Sequence, residues 1–353
     1  MKKFLQVNTL VISALMLAVF MSPVKAQDVH FSQFSNAPLL INPALTGIFD
    51  GKARISNLYR SQWSSIGKGY TTIYLSADAP LAKGKLNNNY FGIGGMIYQD
   101  KAGEAGFKTT ILEASLSYTA ALTDQGDNFF AMGFQTGLNQ QALDLTKSTW
   151  DNQWNGDAFD PSLLSKESIQ LQQFSYLDFN AGLLYYYLPD ADNSFDIGAS
   201  MSHIGSPNVS FMSLSDAPLR KKITVHSSAE LSLGRDYDAW VLPKLLMMFQ
   251  GNQKELLVGG LFKRKLQFKS KYTNYKKEAY FYGGVYYRYK DSFIVNAKFE
   301  FNTLSLGISY DVNTSALSNL AGSANAFEVN LTFVSYVKRG SRTKNISPLP
   351  RFF

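Results

Sequence analysis

The sequence predicts an all-β protein, a transmembrane antiparallel β-barrel of about fourteen strands with a plug-like N-terminal segment. Three observations support this fold class. Apolar and polar residues alternate over many segments of about ten residues or more. The chain is rich in Phe and Tyr and poor in charge, and an export leader stands at its N-terminus.

Alternation with a period of two residues is clear near the C-terminus, where Leu306, Ile308 and Tyr310 alternate with Gly307 and Ser309. Successive side chains of a strand point to opposite faces, so such a strand has one apolar and one polar face. A soluble β-sandwich produces the same pattern. Three features favour a membrane barrel: spanning length, small and ionisable residues on the polar faces, and tyrosines at strand ends, where an interfacial girdle lies.

An even strand number places both barrel termini on one side, which we predict to be the periplasm. The longest gaps, 142–174, 204–220 and 312–325, then all face the outside, and the turn at Asp291 is the weakest point of the register. The predicted strands are centred near Ser56, Tyr74, Gly94, Ser115, Phe134, Asn180, Ile197, Ala229, Leu245, Gly260, Tyr282, Asn296, Gly307 and Leu331.

The N-terminus has the pattern of a cleaved signal peptide. Lys2 and Lys3 precede an apolar stretch at 10–21, and cleavage is expected after Ala26, so that the mature chain begins at Gln27. A retained anchor is the alternative, but about a dozen apolar residues are too few to span a bilayer comfortably.

Composition excludes several classes of protein. The absence of cysteine excludes disulfides, thiolate metal sites, a cysteine nucleophile and a lipoprotein anchor. Loss of the leader with its three lysines reduces the formal charge from +7 to +4, which is too weak to indicate nucleic-acid binding.

The chain therefore divides into four parts. These are a signal peptide (1–26), a plug or lid segment (27–50), a transmembrane barrel (51–337) and a basic periplasmic tail (338–353). The segment 27–50 lacks alternation and contains Pro38, Pro43 and Gly47, which break regular structure. A flexible leader is the alternative, but its apolar residues favour a packed segment.

We find no pattern of catalytic, cofactor-binding or metal-binding residues, and we predict that the protein is not an enzyme. Walker, HExxH and nucleophile-elbow motifs are missing. The acidic region 150–162 lacks the spacing of a calcium loop and reads as a surface loop. His203 and His226 are expected to line the lumen wall without forming a site.

Ordered motifs along nearly the whole mature chain resemble the PorP/SprF family. Those that carry the resemblance are His30-Phe31-Ser32-Gln33-Phe34, Pro38-Leu39, Asn42-Pro43-Ala44-Leu45-Thr46-Gly47, Tyr59-Arg60-Ser61-Gln62-Trp63, Ser76-Ala77-Asp78-Ala79-Pro80-Leu81, Ser309-Tyr310-Asp311-Val312 and Ala326-Phe327-Glu328-Val329-Asn330-Leu331. The tail after Val337 departs from the family pattern, which usually stops near the last strand.

The resemblance implies an outer-membrane barrel of Bacteroidota that works with the type IX secretion system. Such proteins support secretion and surface attachment of cargo, including gliding adhesins, and are therefore linked to gliding motility. The implied partners are outer-membrane lipid, periplasmic ring lipoproteins, a peptidoglycan-binding lipoprotein, and secreted cargo or adhesin C-terminal domains. No cofactor is implied.

The family motifs suggest a partner or plug surface, for which the candidate residues are Phe31, Phe34, Asn42, Pro43, Gly47, Arg60 and Trp63. We expect Arg60 to donate hydrogen bonds to carbonyl groups of the plug. The alternative is that these residues only close the barrel, since turn glycines and prolines have structural roles everywhere.

Two other functions compete with a secretion scaffold. One is a passive channel or a hydrophobic-substrate transporter of the fatty-acid-transporter barrel type, which the NPA-type turn also resembles. The other is a soluble periplasmic β-protein.

Overall fold

The computed structural model describes residues 28–64, 68–86, 88–103, 106–144, 150–160, 162–164, 172–211, 216–234, 238–268, 277–315 and 325–335. The predicted signal peptide (1–26) and the basic tail (338–353) lie outside these residues. None of the helices in the described part is long and apolar enough to cross a membrane.

The described residues form fourteen antiparallel strands, each paired with its neighbours in the sequence, and β1 pairs with β14 to close a barrel. Every predicted strand centre lies within the corresponding strand. The strands are β1 (Ala53–Gln62), β2 (Tyr70–Leu86), β3 (Asn89–Ala102), β4 (Phe107–Ala121), β5 (Asn128–Ala142), β6 (Gln173–Tyr187), β7 (Ser194–Ser202), β8 (Lys222–Ser232), β9 (Ala239–Gln250), β10 (Gln253–Gln267), β11 (Ala279–Arg288), β12 (Ser292–Phe301), β13 (Leu304–Asn313) and β14 (Ala326–Ser335).

The alternation of the sequence becomes an outer and an inner face. On β13, Leu306 and Ile308 are 49% and 46% exposed on the outside, whereas Ser305 and Ser309 are buried inside. An apolar outer face suits lipid, and a closed sheet leaves no unpaired edge within it. The prediction of a transmembrane antiparallel barrel is therefore confirmed.

Both ends of the barrel lie at one rim, where Ala53 pairs with Ser335; we call it the terminal rim. Gln62 and Ala326 meet at the opposite rim. The long connections between β5 and β6, β7 and β8, and β13 and β14 all leave from the opposite rim, as the parity of the sequence predicts. The turn at Asp291 is a regular hairpin in which Arg288 pairs with Ser292.

Not every tyrosine near a strand end lies on the outer face, as an interfacial girdle would require. Tyr186 and Tyr286 point into the barrel and are buried, whereas Tyr187 is exposed outside. Consecutive residues of a strand cannot share a face, so a run of tyrosines divides between the membrane side and the interior.

Residues 28–50, here called the interior segment, lie inside the barrel. Asp28 bonds to Gln250 at the opposite rim, and Phe49 lies against Arg54 at the terminal rim. The segment contains a 3-10 turn (Phe34–Asn36), the short helix α1 (Pro38–Ile41) and a second 3-10 turn (Pro43–Leu45). A closed barrel has no strand edge to extend, so the segment satisfies its backbone through local turns and wall side chains.

The apolar core lies between the interior segment and the barrel wall. Phe34 and Ile41 pack with β9–β12 side chains such as Leu246, and Phe31 and Leu39 pack with the opposite wall. Burial of this kind stabilises by about 25 cal/mol per Å² of apolar surface removed from water. The wall and the segment therefore share one core.

Candidate functional site

The wall that holds the turn from Asn42 to Gly47 is a trough that contains glycines of the strands β3, β5 and β6. A Cβ at Gly182 would lie 1.9 Å from Asn42 Oδ1, one at Gly133 would lie 2.3 Å from the Ala44 nitrogen, and one at Gly92 would lie 2.1 Å from the Thr46 oxygen. None of these distances is possible for a real side chain. The trough admits this turn only because the wall is bare there.

Asn42 uses its whole amide group within the trough. Its Oδ1 accepts from the Ala44 N–H at 2.9 Å, which caps the second 3-10 turn. Its Nδ2 donates to the Leu183 carbonyl at 3.0 Å and lies 3.1 Å from Nε2 of His226. A fully buried amide of this kind specifies one position for the turn, because an unpaired partner would cost about 1–3 kcal/mol.

Near the terminal rim, a buried ion pair in the wall binds the end of the turn from Asn42 to Gly47. Arg54 donates to both carboxylate oxygens of Asp78, each at 2.7 Å, and Asp78 Oδ2 also accepts from the Gly47 N–H at 2.7 Å. Gly47 has a φ of +73°, a conformation that side chains disfavour. Arg54 further donates to the Leu45 carbonyl at 3.3 Å.

A second charged cluster accepts hydrogen bonds from the backbone just before the first 3-10 turn. Glu328 accepts from the backbone N–H groups of Ser32 and Gln33 at 2.7 and 2.8 Å. Arg60 forms a short contact with Glu328 and donates to the Ser32 hydroxyl at 2.9 Å. Arg288 donates to the same hydroxyl at 2.7 Å. The guanidinium groups of Arg60 and Arg288 each also lie 3.3 Å from Oδ2 of Asp311. These two cations thus compensate the charges of the buried carboxylates of Glu328 and Asp311.

The expectation that Arg60 bonds to carbonyl groups of the interior segment is wrong. In the segment its partner is the Ser32 hydroxyl. In the wall its partners are the carboxylates of Asp311 and Glu328 and the side-chain amide oxygen of Gln62. The carboxylate of Glu328 takes up the free N–H groups of the turn, and the cation is needed to neutralise that carboxylate.

A third cluster, which we call the Asp28 latch, ties the beginning of the segment to the opposite rim. Asp28 lies 2.7 Å from His203 Nε2 and 2.8 Å from Lys222 Nζ, and it exchanges two hydrogen bonds with Gln250. The other ring nitrogen of His203 lies 2.5 Å from Asp178. The imidazole is therefore placed between two carboxylates.

Both Asp28 and His203 lie outside the strands. Burial alone would raise the pKa of Asp28, but the charges of Lys222 and His203 outweigh it and hold that pKa well below its usual range. Burial alone would lower the pKa of His203, but the Asp28 charge and the hydrogen bonds to both carboxylates raise it. The latch is thus charged at neutral pH.

The structure brings six of the seven sequence-predicted residues to the contact between segment and wall. Besides those described above, the ring of Phe31 meets Tyr74 edge-on and that of Phe34 meets Tyr286 edge-on. Pro43 lies against Gly133. Trp63 is elsewhere: it follows β1 and packs edge-on against Tyr70 at 5.0 Å.

The sequence did not identify several wall residues as partners of the interior segment. Gly133 and Gly182 are glycines inside alternating strands, which could indicate a bulge or a close backbone approach. His203 and Lys222 gave no sign of their pairing with Asp28. Among the described residues, no group of three or more side chains is arranged to hold a metal ion.

A closed barrel with an apolar outer face and a polar inner face defines a class of protein, the bacterial outer-membrane β-barrels. The family model described as type IX secretion system membrane protein PorP/SprF matches residues 24–333, nearly the whole chain. The chain belongs to this family, which is a kind of secretion-system membrane protein and not a known class of enzyme. No curated protein is similar enough to count as a match.

Solved structures with a similar fold are also barrels. The toluene transporter TbuX of Ralstonia pickettii has 11% identity and a TM-score of 0.48, with 86% of this chain and 94% of that chain covered. The toluene transporter TodX of Pseudomonas putida has 11% identity and a TM-score of 0.47, with 84% of this chain and 92% of that chain covered. BamA of Haemophilus ducreyi lacking POTRA domains 1-3 has 12% identity and a TM-score of 0.39, with 81% of this chain and 70% of that chain covered. The likeness extends to the barrel fold alone.

Proposed function

We propose that this outer-membrane barrel supports secretion and surface attachment of cargo proteins, such as gliding adhesins, by binding other proteins and not by conduction or catalysis. One observation carries the proposal: the interior segment occupies the lumen and is held at both rims. At the terminal rim the Gly47 N–H donates to Asp78, and at the opposite rim Asp28 forms an ion pair with Lys222. A barrel anchored in this way has its rims, loops and outer wall available for partners.

The interior segment acts in this proposal as a permanent plug. The support is energetic, because release of the segment would break the ion pairs of Asp28 with Lys222 and His203. It would also remove the backbone N–H groups from which Asp78 and Glu328 accept hydrogen bonds. Breaking a buried pair typically costs about 3–5 kcal/mol. A thermally driven release of the whole segment would therefore be rare.

The proposed partners are periplasmic ring lipoproteins and a peptidoglycan-binding lipoprotein on one side, and C-terminal domains of secreted cargo or adhesins on the other. The signal peptide is cleaved near Ala26, and the basic tail 338–353 lies in the periplasm. Family membership supports partnership with secretion components.

Three measurements test the function. Purified barrel in a planar bilayer should show no steady single-channel conductance, and a deletion strain should lose cargo export. Pull-down from membranes followed by mass spectrometry should recover ring lipoproteins or cargo. Steady conductance together with intact export in the deletion strain would instead establish the channel or hydrophobic-substrate transporter.

A further inference from the structure

Two lysines lie opposite each other on the outer face of the barrel, where β3 ends and β4 begins at the opposite rim. Lys101 of β3 pairs with Lys108 of β4, and both side chains are exposed. Lys101 is four residues from Ile97, which is 41% exposed on the outside, so it lies on the same face of its strand. Like charges directly opposite each other on neighbouring strands are destabilising. An anion bound between the two ammonium groups would remove this repulsion.

The lysine pair lies just beyond the apolar surface that faces lipid. On the same strands, Ile97 pairs with Leu112, which is 59% exposed, and Gln99 pairs with Thr110 in the next outward-facing row. The lysines form the row after that, about 14 Å along the strands from the apolar row at about 3.4 Å per residue. Strands of such barrels tilt by about 40°, so the difference in height is about 10 Å. This places the pair at the level of the lipid head groups.

The charge of the pair is not compensated within the described part of the chain. No ion pair there includes Lys101 or Lys108, whereas Lys263 in the lumen binds Glu230 at 2.6 Å. Asp144 lies beside Gly106, farther from the apolar surface than the pair, and forms no ion pair with either lysine. Two neighbouring positive charges are therefore available to a ligand from outside the chain.

The row between the lysines and the apolar surface adds neutral polar groups. Gln99 and Thr110 pair there, and Thr110 pairs in turn with Gln140 of β5. Their amide and hydroxyl groups can donate hydrogen bonds to an anion. A phosphate suits this arrangement, because it has several acceptor oxygens and lysine binds it as a point charge. The outer wall is thus cationic, then polar, then apolar in the order of the parts of a phospholipid.

We propose that Lys101 and Lys108 form a binding site for the phosphate group of a membrane lipid in the leaflet at the opposite rim. The phosphate lies between the two ammonium groups, and the acyl chains lie along the apolar surface of β3 and β4. Continuity with the lipid-facing wall favours a lipid over free phosphate, which would gain only the contact with charge. The site lies on the outer wall, apart from the interior segment, and does not depend on any secretion partner.

The probes are dioleoyl phosphatidic acid, dioleoylglycerol and inorganic phosphate, which separate a lipid-borne phosphate from the acyl chains and from the free anion. Native mass spectrometry of the full barrel in a neutral detergent gives the three affinities. Phosphatidic acid should bind roughly tenfold or more tightly than either of the others, as two lysines near a membrane surface would provide. Equal affinity of dioleoylglycerol or of inorganic phosphate would overturn the proposal.

Substitution of the lysines locates the site. Lys101→Gln and Lys108→Gln should each weaken binding of phosphatidic acid about fivefold, the factor expected for one lysine near a membrane surface. Lys254→Gln is the matched control, since Lys254 is also an exposed lysine near the opposite rim but pairs with Phe249 instead of a second lysine. Its affinity should equal that of wild type. Unchanged binding in the double variant, or an equal loss in the control, would refute the site.

A measurement without lipid separates binding from a structural role. In neutral detergent alone, Lys108→Gln should have a Tm equal to or higher than that of wild type, because it removes the repulsion between like charges. A lower Tm would show that the pair is compensated in the barrel itself and would overturn the premise of the site. If a variant fails to show heat-modifiable gel mobility, the ranking of the three probes on the wild-type barrel still decides.

Discussion

Glu328, on the last strand, accepts a hydrogen bond at 2.7 Å from the backbone N–H of Ser32, near the start of the interior segment. The two residues are separated by almost the whole described chain. Their contact means that the strand that closes the barrel also holds the segment inside it.

Replacement of Glu328 by Gln should loosen the segment. The neutral amide cannot accept from both N–H groups and leaves the charge of Arg60 less compensated, so we expect a loss of about 2 kcal/mol or more in the free energy of unfolding. Urea unfolding in lipid vesicles measures the loss. Glu300→Gln is the control, because Glu300 accepts from the Tyr282 hydroxyl and not from the segment. Equal losses in both variants would argue against a special role for Glu328.

Replacement of Gly92 by Ala should displace the interior segment. The added Cβ would meet the Thr46 oxygen at 2.1 Å, and overpacking of this kind typically costs about 1–3 kcal/mol. Gly95→Ala on the same strand is the control, since its Cβ would have only one ordinary contact, at 3.4 Å. Hydrogen–deuterium exchange of residues 42–47 should increase in the first variant alone. Protection equal to wild type in Gly92→Ala would contradict the trough.

The Asp28 latch should depend on pH at two limits. The pKa of His203 is raised, so its contribution is complete below the ordinary histidine value of about 6.5 and is lost as pH rises through the raised value. The pKa of Asp28 is lowered, so its contribution is complete above the ordinary value of about 3.9 and is lost as pH falls through the lowered value.

The difference in Tm between wild type and His203→Gln measures this dependence. It should be largest between about pH 4 and pH 6.5, where both contributions are complete, and should shrink toward both limits. A difference that does not change with pH would mean that His203 acts only through packing.

A disulfide between the segment and the wall should leave export intact if the plug is permanent. The Thr46 and Ser115 hydroxyl oxygens are 3.0 Å apart, and the chain has no cysteine of its own, so the pair Thr46→Cys and Ser115→Cys should oxidise readily. Thr46→Cys with Ser305→Cys, on β13 across the barrel, should not form the bond. Cargo export that is lost on oxidation and restored by a reductant would show that the segment moves.

The strands could be predicted from the sequence because the membrane imposes a local rule. Lipid requires apolar side chains on one face of every strand. The outward position of Leu306 and Ile308 can therefore be predicted from their own alternation, without reference to any distant residue. The glycines of β3 are visible in the sequence too, but a strand glycine has several explanations, and only the contact between Gly92 and Thr46 selects one.

The partners of the interior segment could not be predicted, because each contact joins residues far apart in the chain. Ser32 gives no sign that it will meet Glu328, nor Asp28 that it will meet His203. The sequence does indicate that the segment is apolar and broken by proline. Its binding partners become defined only when fourteen strands close around it.

The course of the interior segment sets an order of events in assembly. Because Asp28 is tied to the opposite rim and the chain emerges again at the terminal rim, the segment traverses a ring that β1 and β14 seal. In a finished ring the segment would have to enter end-first from the terminal rim, so we expect it to be in place before the last seam joins. We therefore expect the sheet to close around the N-terminal segment. A bulky fusion at that end should stall biogenesis before β1 and β14 pair.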